Sequence, residues 1–145
     1  MNPDFPPLRA SAADLPALVE LLAAVPGCLP ETVWQLPWTW PSYRVIRCGD
    51  AIVASGSLQE LAGSLGEIRG LVVHPDHQAQ GHASALVKAL LKDAEQRGLT
   101  PVCVTRKPGF FERHGFQETP TEWLVAERRL PPLASAGPRI GMVRR

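Results

Sequence analysis

The chain has 145 residues, a formal net charge of +1 and 20% charged residues, a size that suits one domain with its own core. That near-neutral balance leaves no electrostatic footprint for nucleic acid or an acidic membrane surface. The 15 prolines and 12 glycines follow no period, which excludes collagen and repeat architectures.

No apolar run approaches the roughly 18 residues of a membrane span. The first residues, MNPDFPPLRA, lack the basic-then-apolar pattern of a signal peptide. Cys28, Cys48 and Cys103 lie far apart and form no C-x-x-C pair. The expectation is reduced thiols in a cytoplasmic protein, with neither a metal site nor a disulfide framework.

Residues 7–10 are expected to form a short strand. Ser11 then has the character of a helix N-cap, with Asp14 three residues on as in a capping box. Leu15, Leu18, Val19, Leu22 and Val25 recur at helical spacing and predict one buried face, ended by Pro26-Gly27. Residues 28–42 read as irregular, with Trp34, Trp38 and Trp40 set among Pro30, Pro37 and Pro41. Residues 43–48 and 51–58 read as antiparallel strands joined at Gly49-Asp50, and 59–66 as a small-residue loop.

Leu71, Val72 and Val73 are strand formers, and His74-Pro75-Asp76 breaks that strand. A helix follows on Ala83, Leu86, Val87, Leu90, Leu91 and Ala94, closed by Arg97-Gly98. Small residues at Ala79, Gly81, Ala83 and Ser84 leave the first-turn N–H groups uncovered, a site suited to phosphate or pyrophosphate. Residues 101–105 predict a buried strand, 108–114 a short helix opened by Pro108, and 122–127 the last strand. The tail shows no periodicity, so residues 130–145 are expected to be weakly ordered.

Val73-His74-Pro75-Asp76-His77-Gln78-Ala79-Gln80-Gly81-His82-Ala83 resembles the acetyl-CoA signature of the GCN5-related N-acetyltransferases (GNAT), Arg/Gln-x-x-Gly-x-Gly/Ala. Gln78, Gly81 and Ala83 stand at its three defining positions. Phe110-Phe111-Glu112-Arg113-His114-Gly115-Phe116 resembles the family's closing helix and its Gly-Phe end. Two motifs in order are a more specific signal than either alone. The resemblance implies an α/β (α+β) fold, with a central mixed, mostly antiparallel sheet flanked by helices. It implies two splayed strands that hold acetyl-CoA as co-substrate. Leu71, Val72 and Val73 would then face the pantetheine arm, with main-chain N–H at Leu71 or Val73 polarising the thioester carbonyl. Gln78, Ala79, Gln80, Gly81, His82, Ala83 and Ser84 would hold the pyrophosphate.

The remaining tasks are to deprotonate the amine and to release the thiolate. By the same resemblance Glu67, four residues before Leu71, is the candidate base; the plainer reading is a solvated carboxylate paired with Arg69. His74 is the second candidate. His77 and His82 are expected at the surface, and His114 at a helix end where its charge suits the dipole. Many family members carry a tyrosine in the closing helix that protonates the thiolate. Here that position is Phe111, which cannot donate, so the thiolate leaves unassisted or another donor serves. Tyr43, the only tyrosine, lies on an early strand and makes a poor substitute.

Glu67-Ile68-Arg69 and Val104-Thr105-Arg106-Lys107 look like the acetyltransferase domain of N-acetylglutamate synthases, a resemblance that covers residues 58–116. It makes Arg69, Arg106 and Lys107 candidates to grip substrate carboxylates, against the alternative of solvated strand-end charges. The tryptophan segment does not resemble the synthases. Its tryptophans either cap the core or, with Trp34 and Trp38, form an apolar or cation-binding wall beside the acetyl group.

The leading function is therefore an acetyl-CoA-dependent N-acetyltransferase acting on the primary amine of a small molecule, such as an amino acid like glutamate. Transfer would be direct, in a ternary complex, because Cys103 on a buried strand reads as core rather than as an acetyl carrier. The alternatives are a CoA-binding sensor or interaction module without transferase activity, and a protein lysine or N-terminal acetyltransferase. Family members are often homodimers, and no stretch here decides that.

Overall fold

The computed structural model describes residues 6–26, 28, 30–120 and 139–145. Its strands are β1 (Leu8–Arg9), β2 (Tyr43–Cys48), β3 (Ala51–Leu61), β4 (Leu65–Val73), β5 (Thr100–Thr105), β6 (Gln117–Thr119) and β7 (Ile140–Val143). They form one sheet in the order β1-β2-β3-β4-β5-β7-β6. Only β4 and β5 run parallel; every other neighbouring pair is antiparallel. The helices are α1 (Leu15–Ala24), α2 (Pro30–Trp34), α3 (Leu36–Thr39), α4 (His82–Arg97) and α5 (Pro108–Glu112).

Side-chain alternation along the strands gives the sheet two apolar faces. On one, Leu18, Leu21 and Leu22 of α1 pack against Leu36, Tyr43, Val45, Ile52 and Val72. On the other, Val87, Leu90 and Ala94 of α4 pack against Leu58, Ile68, Cys103, Phe111, Phe116 and Met142. The buried stripe of α1 includes Leu21 rather than the expected Val19, which is 37% exposed. The start of α1 follows the sequence: the Ser11 N–H donates to Asp14 Oδ2 at 2.8 Å.

Two arginines on β2 pin the layers together. Arg44 Nε and Nη2 donate to the two Asp93 oxygens of α4 at 2.6 and 2.7 Å, and Nη1 to the Pro7 carbonyl at 3.1 Å. Arg47 reaches Asp14 at 2.6 Å, ahead of α1.

Three expectations are corrected. Residues 59–66 are mostly strand, and only Ala62–Ser64 turns. Gly66 is small because of crowding, not looping: a Cβ there would lie 2.8 Å from Leu58 and 3.2 Å from Leu99. The irregular segment contains α2, α3 and a 3₁₀ turn at Trp40–Ser42. Within the tail expected to be weakly ordered, Ile140–Val143 forms β7, inserted between β5 and β6 with Met142 and Val143 buried. Four residues are too few to show a period. The strand expected at 122–127 lies outside the described residues.

Candidate active site

β4 and β5 are hydrogen-bonded neighbours only at Leu65–Thr100, Gly66–Pro101 and Glu67–Val102. Beyond Glu67 the two strands part, so one edge of β4 loses its ladder. On its other edge, Arg69 pairs with Ser57 and Val72 with Ser55, leaving Gly56 opposite both Gly70 and Leu71. This two-against-one arrangement is a β-bulge, and Gly70 supplies its left-handed residue at φ +61°. The Ser57 and Ser55 hydroxyls donate to the carbonyls of Arg69 and Gly70, each at 2.9 Å. Parting and bulge together open a cleft of about 710 Å³ between β4 and β5.

At one end of the cleft β4 gives way to a 3₁₀ turn at Pro75–His77, where His74 Nδ1 accepts from the Asp76 N–H at 3.1 Å. Gln78 Nε2 donates back to the Val73 carbonyl at 3.3 Å, tying the turn to the strand end. Ala79 (φ +61°) and Gly81 (φ +84°) are left-handed, and Gly81 caps α4. An alanine held there costs about 1–2 kcal/mol, a strain of the kind concentrated at ligand sites. Gln78, Ala79, Gly81, His82, Ala83 and Ser84 line the cleft, as do Leu71, Val72 and Val73; Gln80 is exposed and is not among the lining residues.

Two histidines depart from expectation. His82 is buried in the first turn of α4, and burial, with His77 second, lowers its pKa from 6.5. His114 sits 3.4 Å from Ser84 Oγ, and burial, then Lys88, Arg113 and Arg144, lower its pKa too. Its charge is therefore disfavoured, not used at a helix end. With folded values below 6.5, the unfolded chain binds more protons as pH falls through that value. Their contribution to stability is thus complete above about 6.5 and is lost on acidification below it. The urea midpoint should fall between about pH 7.5 and 5.5, and His82→Gln should shrink that difference.

Toward the other end stand Glu67, Arg69, Arg106 and Lys107, joined by Cys28, Thr32 and Arg139, which the sequence reading did not place in the site. Cys28 and Thr32 come from the α1–α2 connection and α2, and Arg139 precedes β7; no local motif marks any of them. Glu67 is buried at the last position of β4 that pairs with β5. Its charge lies close enough to Cys103 to add to the rise that burial imposes on that thiol. Arg69 Nη1 lies 3.3 Å from Gln35 Oε1 and 3.4 Å from Gln59 Oε1. Cys28 is raised by burial and partly offset by Arg139 and Arg69, so both guanidiniums sit near it. Phe111 is buried in the α4-side core at the cleft wall.

The tryptophans are not brought into this cleft. Trp34 and Trp38 are 61% and 77% exposed, and Trp38 borders a separate shallow depression with Leu58 and Arg97. Trp40 packs partly buried against the α1 layer. Among the described residues, no group of three or more His, Cys, Asp or Glu could hold a metal ion. No described helix is long and apolar enough to cross a membrane.

The splayed parallel pair, the bulge and the glycine-capped helix all border this one cleft, and residues 39–118 match the model of the acetyltransferase (GNAT) domain. The chain belongs to the GNAT acetyltransferase family. As the sequence resemblance implied, its sheet is the mixed, mostly antiparallel one, and acetyl-CoA is the co-substrate of this N-acetyltransferase domain.

One relative named amino-acid acetyltransferase, from Mycobacterium tuberculosis (strain ATCC 25618 / H37Rv), is 33% identical over 125 residues. The match covers 82% of this chain and 72% of that protein. Another of that name, from Mannheimia succiniciproducens, is 29% identical, and the match spans 83% of this chain but only 29% of its length. Among solved structures, a Mycobacterium tuberculosis protein in complex with CoA and NLQ superposes with a TM-score of 0.76 at 25% identity. That superposition covers 94% of this chain and 96% of the other. N-acetylglutamate synthase from Neisseria gonorrhoeae, complexed with coenzyme A and N-acetyl-glutamate, gives a TM-score of 0.80 at 18% identity. It covers all of this chain and 36% of the synthase, a likeness of fold.

Proposed function

We propose that this GNAT domain acetylates the amino group of a small carboxylate-bearing amine, with glutamate the first candidate, by direct attack on acetyl-CoA in a ternary complex. The observation that carries the reading is the gathering of Arg69, Arg106 and Lys107 around a cleft that also holds one buried carboxylate, Glu67. Guanidinium and ammonium groups match substrate carboxylates in charge, and arginine matches them in forked geometry. Relatives named amino-acid acetyltransferase point the same way.

In this mechanism the first turn of α4 binds the pyrophosphate through uncovered N–H groups. The main chain at Leu71 or Val73 polarises the thioester carbonyl. Glu67 takes a proton from the substrate ammonium, the free amine then attacks the thioester carbonyl, and the C–S bond breaks as the thiolate of CoA leaves without a tyrosine donor, since Phe111 has no proton to give. Burial and the neighbouring Glu67 charge keep Cys103 a thiol, which supports direct transfer over an acetyl-enzyme.

The test is release of CoA thiol from acetyl-CoA across glutamate, other amino acids, aromatic amines, polyamines and a lysine peptide. Glutamate-selective release is expected, with Arg69→Ala raising the KM for glutamate at least about tenfold while KM for acetyl-CoA holds. Preference for a carboxylate-free amine would sink the proposal. CoA binding without turnover of any amine would favour a binding module instead.

A further inference from the structure

Tyr43 is fully buried, and its hydroxyl has no hydrogen-bond partner among the described residues. Leaving a buried hydroxyl unbonded costs about 1–3 kcal/mol, so a phenylalanine would serve the core better. A buried polar group kept at such a cost calls for an explanation in function.

Its place supplies one. Tyr43 of β2 pairs with Ser57 of β3, which pairs in turn with Arg69 of β4. The phenol reaches across that row to the bulge: its oxygen, Cε2 and Cζ occupy the space where a side chain at residue 70 would begin. A Cβ on Gly70 would lie 2.8 Å from Cε2 and 2.9 Å from Cζ, closer still to the oxygen. The serines beside it are already committed. Ser57 Oγ donates to the Arg69 carbonyl and accepts from Gln59 Nε2 at 3.0 Å, while Ser55 Oγ donates to the Gly70 carbonyl. Burial, the largest cause, pushes the phenol up to about 12, so it stays neutral in the working range; Ser57 Oγ stands near enough to lower that value a little but is itself committed to the Arg69 carbonyl.

We propose that Tyr43 is a positioning residue for acetyl transfer. Its hydroxyl, wedged beneath Gly70 between the two serine–carbonyl bonds, holds the bulge that presents the Gly70–Leu71 main chain and the Arg69 side chain to the cleft. Taking the oxygen away leaves room for that peptide to shift, and a shift near an ångström at reacting groups is enough to cost rate. The inference rests on acetyl transfer in this cleft and on no particular acceptor.

Tyr43→Phe tests it with three readouts. The urea midpoint should stay level or rise, because an unbonded buried hydroxyl is removed. Hydrogen exchange at the Arg69 and Val72 amides, which flank the bulge, should quicken at least about fivefold while α4 amides hold. With the best amine of the panel, kcat should fall about tenfold and KM for acetyl-CoA should stay within about twofold. Ser55→Ala, which frees the Gly70 carbonyl, should lower kcat in the same direction.

A Tyr43→Phe protein with wild-type exchange at the bulge overturns the proposal, and so does a loss of rate matched by a loss of stability. Failure of the glutamate reading is seen separately, as a wild-type enzyme that prefers another amine or turns over none. Amide exchange then decides the role of Tyr43 by itself.

Discussion

Glu67→Gln is expected to lower kcat about 100-fold while KM for acetyl-CoA changes less than about twofold. The substitution keeps shape and volume but removes the carboxylate that, in the proposed mechanism, accepts the ammonium proton. Glu67 is suited to the task because β4 and β5 part immediately after it, so it is buried by its neighbours yet lines the cleft. Glu67 lies on β4 ahead of the bulge, on a different element from the turn and α4 start proposed to hold the pyrophosphate, so cofactor affinity should hold. The pH–rate profile gives a second check, since the acidic limb reporting a carboxylate base should disappear in the variant. Unchanged turnover would reduce Glu67 to a structural carboxylate and pass the base role to another group.

Asp93→Ala should produce a large loss of stability for a polar position outside the cleft. Arg44 and Asp93 make two short bonds, and their side chains are 19% and 9% exposed. Removing the carboxylate leaves a half-buried guanidinium with only the Pro7 carbonyl, at a cost of about 3 kcal/mol, the lower end for a broken buried pair. For a chain of this size that corresponds to a Tm lowered by roughly 10 °C. Arg44 is the main cause of the lowered Asp93 pKa, so the pair's contribution is complete above the ordinary value of 3.8. It fades as pH falls below that value toward the folded one. Thermal unfolding followed at neutral pH reads the loss directly, and a shift under about 2 °C would show that the pair adds little to a core already formed.

The turn and helix start at one end of the cleft were legible because their determinants are local. Small residues ahead of an apolar helical period, with Gly81 at one end of α4 and Gly98 at the other, specify a capped helix from nearby sequence alone. Gln78, Gly81 and Ala83 stand in that same short run, so the motif, the turn and the helix start were one signal. The rest of the cleft lining was legible only in part. Glu67, Arg69, Arg106 and Lys107 were found through resemblance, whereas Cys28, Thr32 and Arg139 reach the cleft from segments without a motif. Trp34 and Trp38 misled because clustering of tryptophans says nothing about which way a short helix turns them.

By itself, the sequence determined the strand–turn–helix around residues 67–97, the antiparallel start of the sheet and the family that both motifs announce. Each depends on residues within a few turns or one strand of each other, where backbone preference and hydrophobic period act directly. Tertiary structure alone decided the bulge at Gly70, the burial of His82, the insertion of Ile140–Val143 between β5 and β6, and the Arg44–Asp93 pin across 49 residues. The physical reason is common to all four. A glycine reads the same in a loop, a bulge or a crowded contact, and a charge reads the same in water or in a buried pair. Only the neighbours that folding brings from distant parts of the chain tell these apart.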